Sequence, residues 1–186
     1  MSLLAAPQLH KLIDDGVIDA LHENVNSASI DVRIGDHILL EDITTAAGHP
    51  VVDIAAKESP KFVKIGIPEE GLVIHPGVIF LASTMETFNL PNTISGQFIL
   101  RSSVARCFLE HMQAGWADAG WHGAQLTMEF KNMNRQHSLL IRKGMRIGQM
   151  VFFEHADAGE NSYAIKGNYN NQQGATQAFS GEGHTA

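Results

Sequence analysis

Four segments carry the side chains that could do chemistry. Arg101-Ser102-Ser103-Val104-Ala105-Arg106 directly follows an apolar run ending at Leu100. Two serines leading into a turn of helix can cap its free N–H groups, and those groups with Arg101 and Arg106 would suit a phosphate. The same residues also read as an ordinary capped helix. Ala114-Gly115-Trp116-Ala117-Asp118-Ala119-Gly120-Trp121-His122-Gly123 holds three glycines and two tryptophans in ten residues. That composition describes a tight hairpin whose backbone can approach a flat ligand, or a turn held by aromatic staples. In Gln125-Leu126-Thr127-Met128-Glu129-Phe130-Lys131-Asn132 a strand would put Leu126, Met128 and Phe130 on one face and Gln125, Thr127 and Glu129 on the other. A carboxylate on a polar strand face is ordinarily just solvated. It becomes a proton carrier only where that face lines a pocket. Tyr169-Asn170-Asn171-Gln172-Gln173-Gly174 lies in a polar tail and by itself reads as loop.

What the chain lacks narrows the chemistry further. It has no Gly-rich Walker loop, no His-Glu-x-x-His and no Gly-x-Ser-x-Gly. It also has no His-x-Glu followed by Pro-Cys-x-x-Cys, which removes the zinc-type nucleobase deaminases. The ten histidines are scattered without a ligand pair, and His75 and His111 read as structural or surface positions. The single cysteine, Cys107, rules out an intramolecular disulfide framework and a multi-thiolate zinc site, and fits a reducing cytoplasm. A net charge of −7 argues against a nucleic acid polymer as partner, although a few local cations could still hold a small anion. No apolar run approaches the roughly 20 residues that cross a bilayer, and the first residues lack the basic start of a secretory signal.

The elements that must position these segments are mostly strands. Residues 7–18 form a short amphipathic helix by the spacing of Leu9, Leu12 and Ile13, with Gly16 to end it. From Ser27 the apolar period changes to two: Ile30, Val32 and Ile34 alternate with Asp31 and Arg33. Further strand-like runs cover 51–54, 62–67, 71–74, 78–82, 94–100, 125–130, 138–141 and 147–153. Turns at His75-Pro76-Gly77, Leu90-Pro91-Asn92 and Lys143-Gly144 separate them. Many short strands with few helices predict an antiparallel sandwich or barrel. The chain divides into a β domain over 1–158 and a polar tail over 159–186.

Taken in order, the segments resemble the dCTP deaminase branch of the dUTPase-like superfamily. The resemblance runs nearly end to end. Asn26-Ser27-Ala28-Ser29-Ile30-Asp31-Val32-Arg33-Ile34-Gly35 is similar to that family's Ser-x-Asp-Leu-Arg-Leu-Gly strand. Ile74-His75-Pro76-Gly77, Leu90-Pro91, Lys143-Gly144-Met145-Arg146-Ile147-Gly148 and the four segments above follow collinearly. The resemblance implies a mainly β fold, a distorted dUTPase-like barrel with a short N-terminal helix and one or two further short helices. It implies a homotrimer with shared active sites, dCTP and dUTP as ligands, and Mg2+ carried by the triphosphate without zinc. Glu129 would be the catalytic acid and base, Ser102 and the Ala114 carbonyl would orient water, and Arg106 would stabilise charge at the site. Arg101, Ser103, Asp118, Thr127, Met128, Tyr163, Lys166 and Gln172 would bind substrate. Asp118 would take the sugar, residues 127–129 the base edge, and the tail the triphosphate.

This chain departs from the family pattern in four places, one of them in the tail, where Lys166 sits three before Tyr169 and Asn168 stands immediately before it, which weakens a phosphate role for Lys166. One residue is missing between Arg106 and Ala114, where Cys107-Phe108 replaces Leu-Gly. One is extra before Glu129, and Ala124 is expected to sit in the turn so that the strand keeps its register. Gln113 stands where Thr is common, which puts feedback by dTTP in doubt. Three readings stay open: a metal-free dCTP deaminase, a bifunctional or pure dUTP pyrophosphatase using Asp118, and a non-catalytic nucleotide-binding trimer.

Overall fold

The computed structural model describes residues 2–44, 48 and 50–179. The chain begins with β1 (Ser2–Leu3), α1 (Ala6–Asp14), β2 (Ile18–Asp19) and the long β3 (Ile30–Glu41). Strands β4 (Phe62–Gly66), β5 (Leu72–Ile74), β6 (Ile79–Phe88) and β7 (Ile94–Leu100) follow. A one-turn helix, α2 (Ser102–Ala105), leads into β8 (Leu109–His111), β9 (Trp116–Ala117), β10 (Ala124–Asn132), β11 (Leu139–Ile141) and β12 (Arg146–Glu154). The chain closes with a 3-10 turn (Gly159–Asn161) and α3 (Tyr163–Lys166).

One curled antiparallel sheet carries most of this, in the order β8-β10-β6-β3-β12-β7-β9. β1 adds to β12, β2 to β6 and β4 to β3, while β5 and β11 pair separately. The concave side wraps a single core in which Phe80, Phe88, Phe98, Phe130 and Phe152 are fully buried. The mainly β barrel-like architecture expected from the strand spacing is the one observed.

Bulges give the sheet its curl. Between β10 and β6 the register runs from Gln125↔Thr87 to Thr127↔Ser83, so residues 84–86 bulge opposite Leu126. The hydroxyl of Thr84 takes over there. It accepts the Leu126 N–H at 2.9 Å and donates to the Glu86 carbonyl at 2.8 Å. The bulge also turns the Glu86 carboxylate into the interior, where it accepts from the Arg33 backbone N–H at 2.8 Å and side chain Nε at 2.7 Å.

Several local expectations change. The helix expected over 7–18 stops at Asp14, because Gly16 turns at φ +71° and Ile18 is drawn into β2 opposite Phe88. The run 51–54 is not a strand. Asp53 accepts from the backbone N–H groups of Ala55 and Ala56, folding a turn that leaves Val51 and Ile54 exposed. Ala124 is not in the turn: it is fully buried and opens β10 opposite Phe88. Gly123, at φ +63°, makes the turn instead.

β10 alternates strictly between buried and half-exposed residues from Ala124 to Asn132. Met128 therefore points into the core, opposite Ala82 and fully buried, so the substrate-binding role expected of it is not one its side chain can play from the outward face. Met128→Ala should lower unfolding stability by about 2–5 kcal/mol in a chemical denaturation experiment.

Candidate active site

A cavity of about 490 Å³ opens beside the outward face of β10. Thr127 and Glu129 of β10 and Leu81 of β6 form its floor. One wall is Ala114, Trp116, Ala117, Asp118 and Trp121, and the opposite wall is Ser59, Pro60 and Phe62 at the entry to β4. Tyr163, Tyr169, Gln172 and Thr176 close it from the tail.

Glu129 is the group best placed to exchange protons. Its side chain is 26% exposed, but Oε2 is buried and has no hydrogen-bond partner. His111 Nε2 lies 3.5 Å from that oxygen. His111 is itself 2% exposed and its Nε2 is likewise unpartnered. Burial on one side and access on the other is the arrangement a carboxylate needs to take and return a proton.

Asp118 stands on the wall formed by β9. This strand pairs with β7 through Gly96↔Ala117 and Gln97↔Trp116, so the glycine-rich segment does not fold back on β10 as a hairpin. The Trp116 indole, half exposed in the cavity, donates to Asp118 Oδ1 at 2.9 Å and leaves Oδ2 for another partner. Trp121 is buried, stacks on Phe88, and donates from Nε1 to the Tyr169 carbonyl at 3.0 Å.

The tail is anchored to this wall and floor. Gln172 exchanges two hydrogen bonds with the backbone of Gln125, through its own carbonyl at 3.0 Å and its side chain Nε2 at 2.6 Å. The Thr176 N–H donates to Thr127 Oγ1 at 3.1 Å. Ser162 caps α3 by accepting the Ala164 N–H. Residues 180–186 of the expected tail lie outside the described residues.

The structure thus brings Glu129, Ala114, Asp118, Thr127, Tyr163 and Gln172 to one cavity. It does not bring the others there. Lys166 lies on the surface, with Nζ on Asn161 Oδ1 at 2.5 Å. Ser102 and Ser103 belong to α2 and Arg101 and Arg106 flank it, away from the cavity lining. The serines do not cap the helix: Arg101 occupies the N-cap position with no side-chain hydrogen bond, and Ser102 and Ser103 sit inside the helix and exposed. Arg101 reaches down to the buried Asp31 carboxylate at 3.3 Å, which Arg146 also approaches at 3.5 Å. Among the described residues no lysine or arginine lines the cavity, and its acidic side chains are Asp118 and Glu129. The resident charge would repel a triphosphate unless cations come from elsewhere.

Sequence reasoning read His111 as a structural or surface position, singled out the segment of Tyr169 without giving that residue a role, and missed the Ser59–Phe62 wall. For His111 a signal was present: Leu109 and His111 alternate around Glu110, so a histidine shares the apolar face of a short strand.

A family described as dCTP deaminase-like matches residues 3–155. The chain belongs to that family. It is 34% identical over 174 residues to a "dCTP deaminase, dUMP-forming" of Sulfurihydrogenibium sp., covering 90% of this chain and 91% of that protein. It is 32% identical over 188 residues to a "dCTP deaminase" of Haemophilus influenzae strain PittEE, covering 92% and 94%. The crystal structure of 2'-deoxycytidine 5'-triphosphate deaminase from Agrobacterium tumefaciens shares the fold, with a TM-score of 0.62 at 20% identity. That match covers 81% of this chain but 47% of the other.

At the edge of the cavity, burial pushes the Tyr163 phenol above the ordinary value of 10.0, against weaker opposing hydrogen bonds from the backbone near Tyr169 and Asn168. The folded state therefore holds that proton after the unfolded state has released it. Its stabilising contribution is complete below pH ~10 and is lost as pH rises through the folded value. Ultraviolet titration should show one late-titrating tyrosine that disappears in Tyr163→Phe, and this variant should lose less stability than wild type above pH ~10.

Proposed function

We propose that this protein is an enzyme that deaminates dCTP, releasing ammonia and forming the uracil nucleotide. The observation that carries the reading is Glu129, a half-sheltered carboxylate on the floor of a cavity walled by aromatic rings. Relatives 32–35% identical over most of the chain that are named dCTP deaminases support it.

The chemistry asks little beyond that carboxylate. As water adds to C4 of the cytosine, Glu129 takes its proton. The proton passes to N3, the hydroxyl proton of the tetrahedral adduct goes to the exocyclic nitrogen, and the C4–N bond breaks to leave a carbonyl and ammonia. The Ala114 carbonyl, on the same wall, would accept a hydrogen bond from the attacking water, and Thr127 would face the base edge. Asp118, with one oxygen fixed by Trp116, would meet the sugar.

Assembly supplies what the single chain lacks. Among the described residues Ser102, Ser103 and Arg106 carry no side-chain partner, while the cavity that needs a phosphate-binding cation has none. A homotrimer that sets α2 of one subunit against the cavity of the next resolves both. Mg2+ would arrive on the triphosphate: among the described residues no group of three His, Cys, Asp or Glu side chains is placed to hold a metal, and Asp118 is the carboxylate at hand. Tail residues 159–186 would then close over the phosphates. No helix of the described residues is long and apolar enough to cross a membrane, and with the lone Cys107 this supports a cytoplasmic setting.

A second reading keeps the same site. Asp118 beside Glu129, and relatives named as dUMP-forming, support continued hydrolysis to dUMP and pyrophosphate. Incubation with dCTP and Mg2+ separates the outcomes. Ammonia with dUTP marks the deaminase alone, ammonia with dUMP and pyrophosphate marks both activities, and no ammonia rejects the proposal.

Glu129→Gln should cut kcat by about 10²–10⁴-fold while nucleotide binding, read by calorimetry, is retained. If the site is shared, mixing inactive Glu129→Gln with inactive Arg106→Ala subunits and reassembling them should restore roughly a quarter of the sites by random assortment. No recovery in the mixture would place all the groups in one subunit.

A further inference from the structure

We propose that His111 is a positioning residue for Glu129, acting as a neutral imidazole with its proton on Nε2. The inference rests on reading Glu129 as the base, and extends it to how one of its two oxygens is held.

The tautomer follows from a backbone hydrogen bond. The N–H of Gln113 points at His111 Nδ1, 3.2 Å away. A backbone N–H can only donate, so Nδ1 must present its lone pair, and the ring proton sits on Nε2. A doubly protonated ring would set two N–H groups against each other at Nδ1. Gln113 can aim its N–H backwards because it is held in the left-handed region at φ +65°, a conformation uncommon for a residue of its kind. Its side chain reinforces the clamp by donating to the His111 carbonyl at 3.3 Å.

The ring has no freedom to turn away. It packs edge-on against Phe98, with centroids 4.7 Å apart, and against Phe130 at 5.6 Å. β8 is joined to β10 beside it through the Phe130↔His111 pair and the Met112 N–H on the Glu129 carbonyl, 3.0 Å. Nε2 is thereby held 3.5 Å from Glu129 Oε2.

Among the described residues these two atoms and Ser59 Oγ, on the opposite wall, are the buried polar atoms of the site that have no hydrogen-bond partner. Nε2 and Oε2 are both buried, neither has another partner, and they lie 3.5 Å apart. Burying either alone is costly, whereas a small closure would satisfy both at once. The pairing makes the two carboxylate oxygens unequal. Oε2 is tied to the protein, and Oε1, which is not buried, is left to carry protons at the substrate.

Protein labelled with 15N-histidine tests the tautomer with no nucleotide present. The His111 signals, assigned by their loss in His111→Gln, should show a bare Nδ1 and a protonated Nε2. A proton on Nδ1, or on both nitrogens, near neutral pH overturns the inference. In Glu129→Gln the Nε2–H proton should shift upfield as its charged acceptor is lost, and an unmoved signal overturns the pairing whatever the dCTP assay shows. In that assay, His111→Leu should lower kcat roughly 10–100-fold with KM little changed. His111→Gln, whose amide can reach the same oxygen, should recover most of that loss. Equal losses in both variants, or a loss confined to KM, would reduce His111 to a packing residue.

Discussion

The strict alternation of β10 is the constraint on which the site depends. Ala124, Leu126, Met128 and Phe130 bury their side chains in the core, and each large one contributes roughly 1.5–3 kcal/mol on burial. A slip of one residue would expose all of them and turn Thr127 and Glu129 inward. The energy that fixes the register is thus apolar, while the groups it delivers to the cavity are polar. Ala124, small and fully buried, opens the strand opposite Phe88. The irregularity of the pairing lies in β6, where residues 84–86 bulge and the Thr84 hydroxyl accepts the Leu126 N–H in place of a ladder partner.

A second layer lies beneath the surface that bears α2. Asp31, on β3, is buried and gathers Asn26 Nδ2 at 3.0 Å together with Arg101 and Arg146. Glu86, wholly buried, is matched to Arg33. Charges taken out of water are tolerated only when their partners and hydrogen bonds are complete. These clusters act less as sources of stability than as fixed points, setting where α2 begins relative to the sheet. Arg101 is partly committed to this support, whereas among the described residues Arg106 has no side-chain partner and is exposed.

The tail belongs to the site rather than to a separate appendage. Its hold on β10 is made of hydrogen bonds on the cavity face, through Gln172, Gly174 and Thr176, rather than by burial of a large apolar surface. Contacts of that kind form and release more readily than core packing. A segment that walls a cavity and must admit a ligand is suited by them.

Much of this was legible in the linear chain. Period-two alternation at 30–34 and 125–130, with glycine and proline turns between, determined a mainly β fold, and the order of short motifs determined the family. The sequence alone placed Thr127 and Glu129 on one polar face, because side-chain direction in a strand depends only on residue parity. It failed where the outcome depended on segments distant in the chain. Residues 51–54 have strand-like composition but no partner edge, so a local turn at Asp53 won. Met128 passed for a ligand-binding residue until its face was known to be the core. Only the tertiary structure set Asp118, the tail and the wall at Ser59 around the same cavity, and left α2 outside it. Only there did His111, ordinary in sequence, meet the buried oxygen of Glu129, since that contact joins β8 to β10 across a register no local pattern encodes.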